Sequence, residues 1–280
     1  MDFTPDNSQL TNAQAFKSLH ERDGIFVVPN PWDAGSAKML ESIGFKALAT
    51  TSAGLAFSLA KADGEGSVTL QETLENARRI VSAVNIPVSA DLENGYGIDP
   101  EVCAETILLA ARAGLAGGSI EDTTGRPEYP ILPFDLSVER IKAAVNAAKS
   151  LPFPFMLTAR AENLIYGRQD LKDTVRRLEA FADAGADVLF APGIKTPDEI
   201  ALVVKAVAPR PVNVVMGLNN CNLSLTQLED LGVKRVSLGS SLARAAYSAF
   251  INGAKEIFQH GTFDFAGNAI SYAEINKLFK

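Results

Sequence analysis

Only two cysteines occur in 280 residues, Cys103 and Cys221, and they form no Cys-x-x-Cys pair. That excludes a disulfide framework and argues against zinc or thioredoxin-type chemistry. Positive charge is also scarce: 26 Lys and Arg stand against 33 Asp and Glu, a net charge of −7, with no long basic run. A grip on nucleic acid or on an anionic membrane depends on clustered Lys and Arg that release counterions, so neither partner is expected. No stretch of about 18 apolar residues is present to span a bilayer, and residues 1–19 carry Asp, Asn and Gln where a signal peptide has a basic head and an apolar stretch. A soluble protein of the reducing cytoplasm is expected. Charged residues make up only 21%, which excludes the disordered class, and the 47% that are hydrophobic suffice for a large core.

What is present is a repeated alternation. Short apolar or β-branched runs at 25–30, 47–52, 87–92, 117–122, 155–160, 188–192, 211–216 and 235–239 are separated by amphipathic segments, among them 70–84, 100–113, 137–149, 171–184 and 197–207. Gly44, Gly114, Gly185 and Gly232 stand just before strands, where each supplies the left-handed residue that ends a helix. Eight β-α units in succession predict an α/β fold of the (β/α)8 TIM-type barrel; an open doubly wound sheet is the alternative. A helix over 12–22 precedes the first strand. Residues 1–252 form the barrel with this helix, and residues 253–280 form a C-terminal helical extension. The extension carries Ile257, Phe258, Phe263, Phe265, Ile275, Leu278 and Phe279, more apolar surface than a free tail would hold. It packs either on its own barrel or on a partner subunit, and a homo-oligomer, dimer or tetramer, is expected.

In such barrels the active site gathers at the C-terminal ends of the strands. Strand three ends in Ser89-Ala90-Asp91-Leu92-Glu93-Asn94-Gly95-Tyr96-Gly97, strand four in Ile120-Glu121-Asp122, and strand five in Thr158-Ala159-Arg160-Ala161-Glu162-Asn163. Residues two apart on a strand share a face, so Asp91 with Glu93, and Arg160 with Glu162, can aim at one site. Crowded carboxylates repel unless a cation sits among them, and hard oxygen donors suit Mg²⁺ or Mn²⁺. Arg160, a fork of fixed charge, is the candidate for holding a small anionic carboxylate substrate. After strand two, residues 50–67 read as a long glycine-containing loop over the barrel mouth, a lid with Asp63 at its polar tip. The bland alternatives are solvated rim charges and a plain surface loop.

These residues resemble the isocitrate lyase and phosphoenolpyruvate mutase superfamily over roughly residues 26–244. Asp91-Leu92-Glu93-Asn94-Gly95-Tyr96-Gly97 is similar to its D-x-[DE]-x-G-Y-G segment, and Ile120-Glu121-Asp122, Ala159-Arg160-Ala161-Glu162 and the Asp63 loop match as well. The resemblance implies a barrel whose C-terminal helix is often swapped between subunits, with Mg²⁺ near Asp91, Glu93 and Glu121. It further implies a 2-oxo acid or enolpyruvate unit bound at Thr51, Ser52, Ala53, Asp91 and Arg160, and a gating loop around Asp63. The chemistry it implies is the making or breaking of a C–C or P–C bond next to an enolpyruvate, with metal and arginine stabilising the enolate.

The departures bear on the substrate. The lyase branches carry a K-[KR]-C-G-H loop after strand four, whereas this chain has Asp122-Thr123-Thr124-Gly125-Arg126-Pro127-Glu128-Tyr129-Pro130, without cysteine. The mutase branch's Asn in that loop is absent, and Met216-Gly217-Leu218-Asn219-Asn220 lacks the His of an oxaloacetate decarboxylase branch. Loss of CO₂ or of a phosphonate group yields an enolate without first removing a hydroxyl proton, so it asks less of a missing base than retro-aldol cleavage does. Asp63, Arg160 and Glu162 are the expected catalytic groups; Tyr129 and Asn213 are further candidates for the missing base. Cys103 reads as core packing, Cys221 as a weak catalytic candidate near strand seven, and His20 and His260 as structural. The competing readings are a Schiff-base aldolase using Lys195, a phosphate-binding barrel using residues 238–242 with Ser240 as a helix cap, and a non-catalytic carboxylate-binding barrel.

Overall fold

The computed structural model describes residues 4–64, 66–217 and 223–280. Its eight strands are β1 (Phe26–Val28), β2 (Leu48–Ala49), β3 (Val88–Asp91), β4 (Gly117–Glu121), β5 (Met156–Arg160), β6 (Val188–Phe190), β7 (Val212–Val215) and β8 (Arg235–Ser237). All pair in parallel and in chain order, and β8 returns to β1. Between β1 and β2 the described residues show one backbone hydrogen bond, from Ala49 N–H to Pro29 O at 3.1 Å. This order is a nearly closed TIM-type barrel and excludes the open doubly wound sheet.

The helices are α1 (Asn7–Glu21), α2 (Ala34–Ile43), α3 (Ser52–Ser58), α4 (Leu70–Ala83), α5 (Pro100–Arg112), α6 (Phe134–Lys149), α7 (Leu171–Ala184), α8 (Pro197–Val207), α9 (Leu225–Asp230), α10 (Ser241–His260) and α11 (Tyr272–Lys277). Each outer helix turns one stripe inward. In α4 the buried residues are Thr73, Leu74, Ala77 and Ile80, and in α7 they are Thr174, Arg177, Leu178 and Phe181, the spacing of a single helical face. Capping boxes fix where α4 and α8 begin, at Thr69 with Glu72 and Thr196 with Glu199. The four predicted punctuation glycines all adopt positive φ, from +84° to +109°. Burying Phe181 alone stabilises the shell by about 1.5–3 kcal/mol, and Phe181→Ala would leave a cavity beneath α7.

Helix α1 closes the bottom of the barrel. Gln9 Nε2 donates to Ala111 O at 2.7 Å, and Phe16 is fully buried. A side chain at Gly117 would meet Met156 O at 2.6 Å and Phe16 at 3.0 Å, so the close approach of α1 needs glycine at the start of β4.

Three expectations change. Asp6 caps α1 and accepts from Gln9 N, which starts this helix at residue 7 rather than 12. The segment after β2 is not all loop: Thr51 accepts from Gly54 N and opens the short α3, which takes up Ser52–Ser58 of the segment expected to be a lid. The last barrel helix runs through Gly253 to His260 without a break. Only Ala243 and Gly253 of α10 are buried, while Phe250, Phe258, Phe263 and Tyr272 stand 72%, 92%, 65% and 85% exposed. Glu256 ties the chain after α10 back to it by accepting from Thr262 Oγ1 and from the N–H groups of Asp264 and Phe265. Among the described residues no helix is long and apolar enough to cross a membrane.

Candidate active site

Two adjoining cavities lie at the C-terminal ends of the strands. The first, of about 250 Å³, descends into the ring as far as Asn213, Arg235 and Ser237; the second, of about 570 Å³, lies against Asp63, Gly64, Gly66 and Val68 of the chain between α3 and α4. Ser52, Asp63, Arg160 and Ile165 border both. The expected substrate contacts Thr51, Ser52, Ala53, Asp91 and Arg160 all line the first, while Glu93, Glu121 and Glu162 line the second.

Arg160, at the end of β5, stands at the centre of the acidic groups. Its Nε donates to Glu162 Oε1 at 2.7 Å, and its Nη1 lies 3.0 Å from Glu121 Oε1 and 3.2 Å from Asp91 Oδ1. The guanidinium also sits over the ring of Phe190, 5.0 Å from its centroid. Asp91 Oδ2 accepts from Ser52 Oγ at 2.9 Å, which couples the head of α3 to the end of β3. Arg160 and Glu162 do meet, although β5 ends at Arg160 and Glu162 lies beyond the strand. The shared face predicted for Asp91 and Glu93 is replaced, because β3 ends at Asp91 and Glu93 takes a left-handed φ of +47°.

This turn is held by Arg140 of α6, which donates to the carbonyls of Asn94, Gly97 and Glu121. A non-glycine residue at positive φ costs about 1–3 kcal/mol and persists only where its surroundings over-determine it. Asp122, adjacent to Glu121, faces the other way. Its Oδ1 accepts from Glu162 N at 2.8 Å and its Oδ2 from Arg177 Nη1 at 3.0 Å, so it positions Glu162 and takes no part in the cavity wall.

Five carboxylates, Asp63, Asp91, Glu93, Glu121 and Glu162, thus share one guanidinium. Burial, with the charges of Asp91, Glu121 and Asp63, pushes Glu93 up to about 8. Burial, with Asp91 opposing the pull of Arg160, pushes Glu121 up to about 7. Asp63, exposed at the cavity lip, is raised by partial burial and by Asp91. Glu162 is buried and its Oε2 has no hydrogen-bond partner among the described residues, and burial raises it against Arg160. Burial lowers Arg160, but Glu121, Glu162 and Asp91 outweigh it and raise it well above its ordinary value. The set behaves as an incompletely neutralised acidic pocket.

Residues 16–258 match the phosphoenolpyruvate phosphomutase family. The chain belongs to that family. A crystal structure of a candidate lyase/mutase from Burkholderia cenocepacia J2315 superposes with a TM-score of 0.95 at 55% identity, over 98% of this chain and 97% of that one. 2,3-Dimethylmalate lyase, a member of the PEP mutase/isocitrate lyase superfamily, superposes with a TM-score of 0.83 at 27% identity, over 99% and 95% of the two chains. The 2-methylisocitrate lyase of Aeropyrum pernix is 28% identical over 254 residues, 88% of this chain and 80% of that one. The phosphoenolpyruvate phosphomutase family fold therefore carries the acidic segment and the arginine that the sequence resemblance singled out.

Other expectations fare differently within this family scaffold. Asp91 lines the first cavity and Glu93 and Glu121 the second, and Arg160 Nη1 stands between Asp91 and Glu121. Among the described residues no three Asp, Glu, His or Cys side chains are disposed to ligate one ion. The strand-four segment folds back through a Thr123–Ile131 bridge and contributes only Thr123 and Gly125 to the second cavity; Tyr129 is 73% exposed and lines neither cavity. Lys195 is exposed and lines neither cavity, so the desolvated lysine of a Schiff-base aldolase is missing. Ser240 occupies the N-cap position of α10 without a side-chain capping bond. Cys103 is buried in the core, as expected, and Cys221 lies outside the described residues.

The residues overlooked were Asn30, Arg235 and Ser237. Asn30 Oδ1 accepts from Leu238 N at 2.7 Å and Gly239 N at 3.0 Å while its Nδ2 donates to Thr50 O, lacing the ends of β1, β2 and β8 together. The available signal was the charge of Arg235 at the head of the predicted strand 235–239.

Proposed function

We propose that this protein is a lyase that breaks a C–C or P–C bond beside the 2-oxo acid unit of a small anionic carboxylate substrate. Decarboxylation or P–C cleavage is favoured over retro-aldol cleavage. The observation that supports this reading best is the placement of Arg160 at the junction of the two cavities, with Nε and Nη1 committed to Glu162, Glu121 and Asp91. Among the described residues its Nη2 has no hydrogen-bond partner, which leaves it for the substrate carboxylate.

The donor chemistry suits a divalent cation, Mg²⁺ or Mn²⁺, with hard carboxylate oxygens that raise one another's proton affinity around a single guanidinium, but the acids can close on an ion only once Arg160 Nη1 yields its place between Asp91 and Glu121. Asp91, Glu93 and Glu121 would hold it, and the ion would stabilise negative charge developing on an enolate oxygen. Arg160 orients the acid, and the apolar Phe190 and Ile165 keep water from its face. When CO₂ departs, the electrons of the broken C–C bond pass into the 2-oxo group, and no hydroxyl proton has to be removed first. Glu162, with its unpartnered Oε2, and Asp63 on the lid are the groups placed to hold the proton that the product carbon takes up.

The strand-four segment supplies neither acid nor base to the cavities, which is the reason for ranking retro-aldol cleavage second. Pyruvate release from oxaloacetate, phosphonopyruvate and 2-methylisocitrate, each with and without EDTA, tests the assignment. EDTA-sensitive turnover of either of the first two is expected. Turnover of 2-methylisocitrate alone would favour the retro-aldol reading, and turnover untouched by EDTA rejects the metal. The exposed aromatic face of α10 and the chain beyond it is further proposed to be covered by a second copy of the chain; a monomeric mass by light scattering would reject this.

A further inference from the structure

Strand β8 opens on a charged residue in a place where parallel barrel strands are ordinarily apolar. Arg235 is only 5% exposed and stands in register between Phe26 of β1 and Asn213 of β7. Its contacts are all with neutral atoms. Nε donates to Asn213 Oδ1 at 2.8 Å, Nη2 to Thr158 Oγ1 at 2.9 Å, and Nη1 lies 3.3 Å from His20 Nε2. Among the described residues no carboxylate pairs with it. A buried charge without a counter-ion is destabilising, and an apolar residue of similar volume would ordinarily serve the packing better. What sets this position apart is that Arg235, Asn213 and Ser237 line the inner end of the first cavity.

The direction of the hydrogen bonds follows from the arginine, which can only donate. His20 Nε2 must therefore accept, and its Nδ1–H donates to Phe16 O at 2.8 Å. The Asn213 amide is likewise oriented: with Oδ1 taken by Arg235, its Nδ2 donates to Ser237 Oγ at 3.0 Å. Ser237 then has its own proton to give. The inner end of the cavity thus presents donors and one positive charge that no carboxylate among the described residues balances, between apolar walls of Val28, Phe190 and Val215.

We propose that Arg235, acting with Asn213 and Ser237, determines specificity by receiving a second anionic group of the substrate, so that a 2-oxo acid ending in a carboxylate is preferred to one ending in a methyl. This rests on the reading above that Arg160 receives the 2-oxo acid end.

Isothermal titration of the full chain in Mg²⁺ with 2-oxoglutarate and 2-oxopentanoate, which differ only at the distal end, tests it. The native protein is expected to bind 2-oxoglutarate at least about tenfold more tightly, the scale of one hydrogen bond to a charged group. Arg235→Met is expected to bring the ratio close to one by weakening 2-oxoglutarate alone, and Arg235→Lys to leave an intermediate ratio. Ser237→Ala, which keeps the buried charge network and serves if Arg235→Met does not fold, is expected to lower the ratio about threefold, a share of that same bond. A native ratio near one overturns the proposal, as does a preference that survives both Arg235→Met and Ser237→Ala, while the 2-oxo acid reading stands. Failure of the native protein to bind either acid overturns that reading and the proposal together.

Discussion

Arg160 on β5 and Arg235 on β8 both point into the ring from staves three apart, the first half-buried and the second buried, yet they keep opposite company. Arg160 meets three carboxylates within 3.2 Å, whereas Arg235 meets an amide, a hydroxyl and an imidazole. The carboxylates lift Arg160 well above its ordinary value; Arg235, with burial unopposed, is pulled down to about 9. The contrast follows from position. Arg160 lies at the rim, where the turns after β3, β4 and β5 bring acids together, and Arg235 lies deeper, where its neighbours are the inward residues of other strands. One end of the cavity is acidic with a cation held in it, and the other is a cation without an acid.

The most severe way to test that difference is Arg160→Met, which leaves the buried Glu162 without its partner. Unpairing a buried charge costs about 3–5 kcal/mol, and loss of the guanidinium that orients the substrate carboxylate lowers turnover by about 100-fold or more. Chemical denaturation and the pyruvate-release assay would check both. Equal stability of the variant and the native protein would mean that Glu162 is already uncharged in the fold.

Magnesium gives the next largest effect, and its pH dependence separates the two ends. Glu93 has its folded value raised to about 8 from an ordinary 4.5. Without metal, the stability linked to this group is fully present below about pH 4.5 and is lost as pH rises through 8. A cation on the acids favours the ionised form and reverses that loss. At one hundred times its dissociation constant, the ion should stabilise the protein by about 2.7 kcal/mol, with a larger rise in melting temperature at pH 8.5 than at pH 6. An equal shift at both pH values would place the ion away from Glu93.

Much of this architecture was legible in the sequence because it depends on periodicity and punctuation. The eight strands, the terminal glycines of the helices and the acidic ends of β3, β4 and β5 are local patterns, and all appear in the fold. The residues that escaped notice act across the chain. Arg140 of α6 holds the turn of Glu93 from more than forty residues away, and Asp122 reads like its neighbour Glu121 until Arg177 and the Glu162 N–H are seen to claim it. Strand alternation reached neither Glu162 nor Glu93, because β5 ends at Arg160 and β3 at Asp91; Glu162 meets Arg160 through an ion pair beyond the strand, and Glu93 turns away at a left-handed φ. Arg235 was visible as a charge in a strand, but its lack of an acid partner is a property of the assembled ring.

The Arg235 end has its own, smaller signature in His20. Burial, then the charge of Arg235, lowers His20 from 6.5 to about 3, because a proton on Nε2 would face a guanidinium that can only donate. A depressed folded value means that the stability linked to His20 is full above about pH 6.5 and falls as pH drops toward 3. The slope approaches about 1.4 kcal/mol per pH unit. His20→Gln retains an acceptor for Arg235 but cannot titrate, so the native-minus-variant stability difference should flatten above pH 6.5 and slope below it. A difference independent of pH would show that His20 is not held neutral by this arginine.

The least disruptive test makes the second arginine resemble the first. Asn213→Asp substitutes a carboxylate of nearly the same shape at 2.8 Å from Arg235 Nε, and Ser237 can turn its hydroxyl to donate to the new oxygen. Because the attraction gained and the desolvation of a new buried charge nearly offset each other, stability should change by less than about 1 kcal/mol. Balancing the charge should nonetheless cancel the preference for 2-oxoglutarate over 2-oxopentanoate. If the two arginines differ in function because of their company rather than their place in the ring, this change abolishes the difference while the fold is unaltered. A preference retained in Asn213→Asp would mean that the distal carboxylate is recognised elsewhere in the cavity.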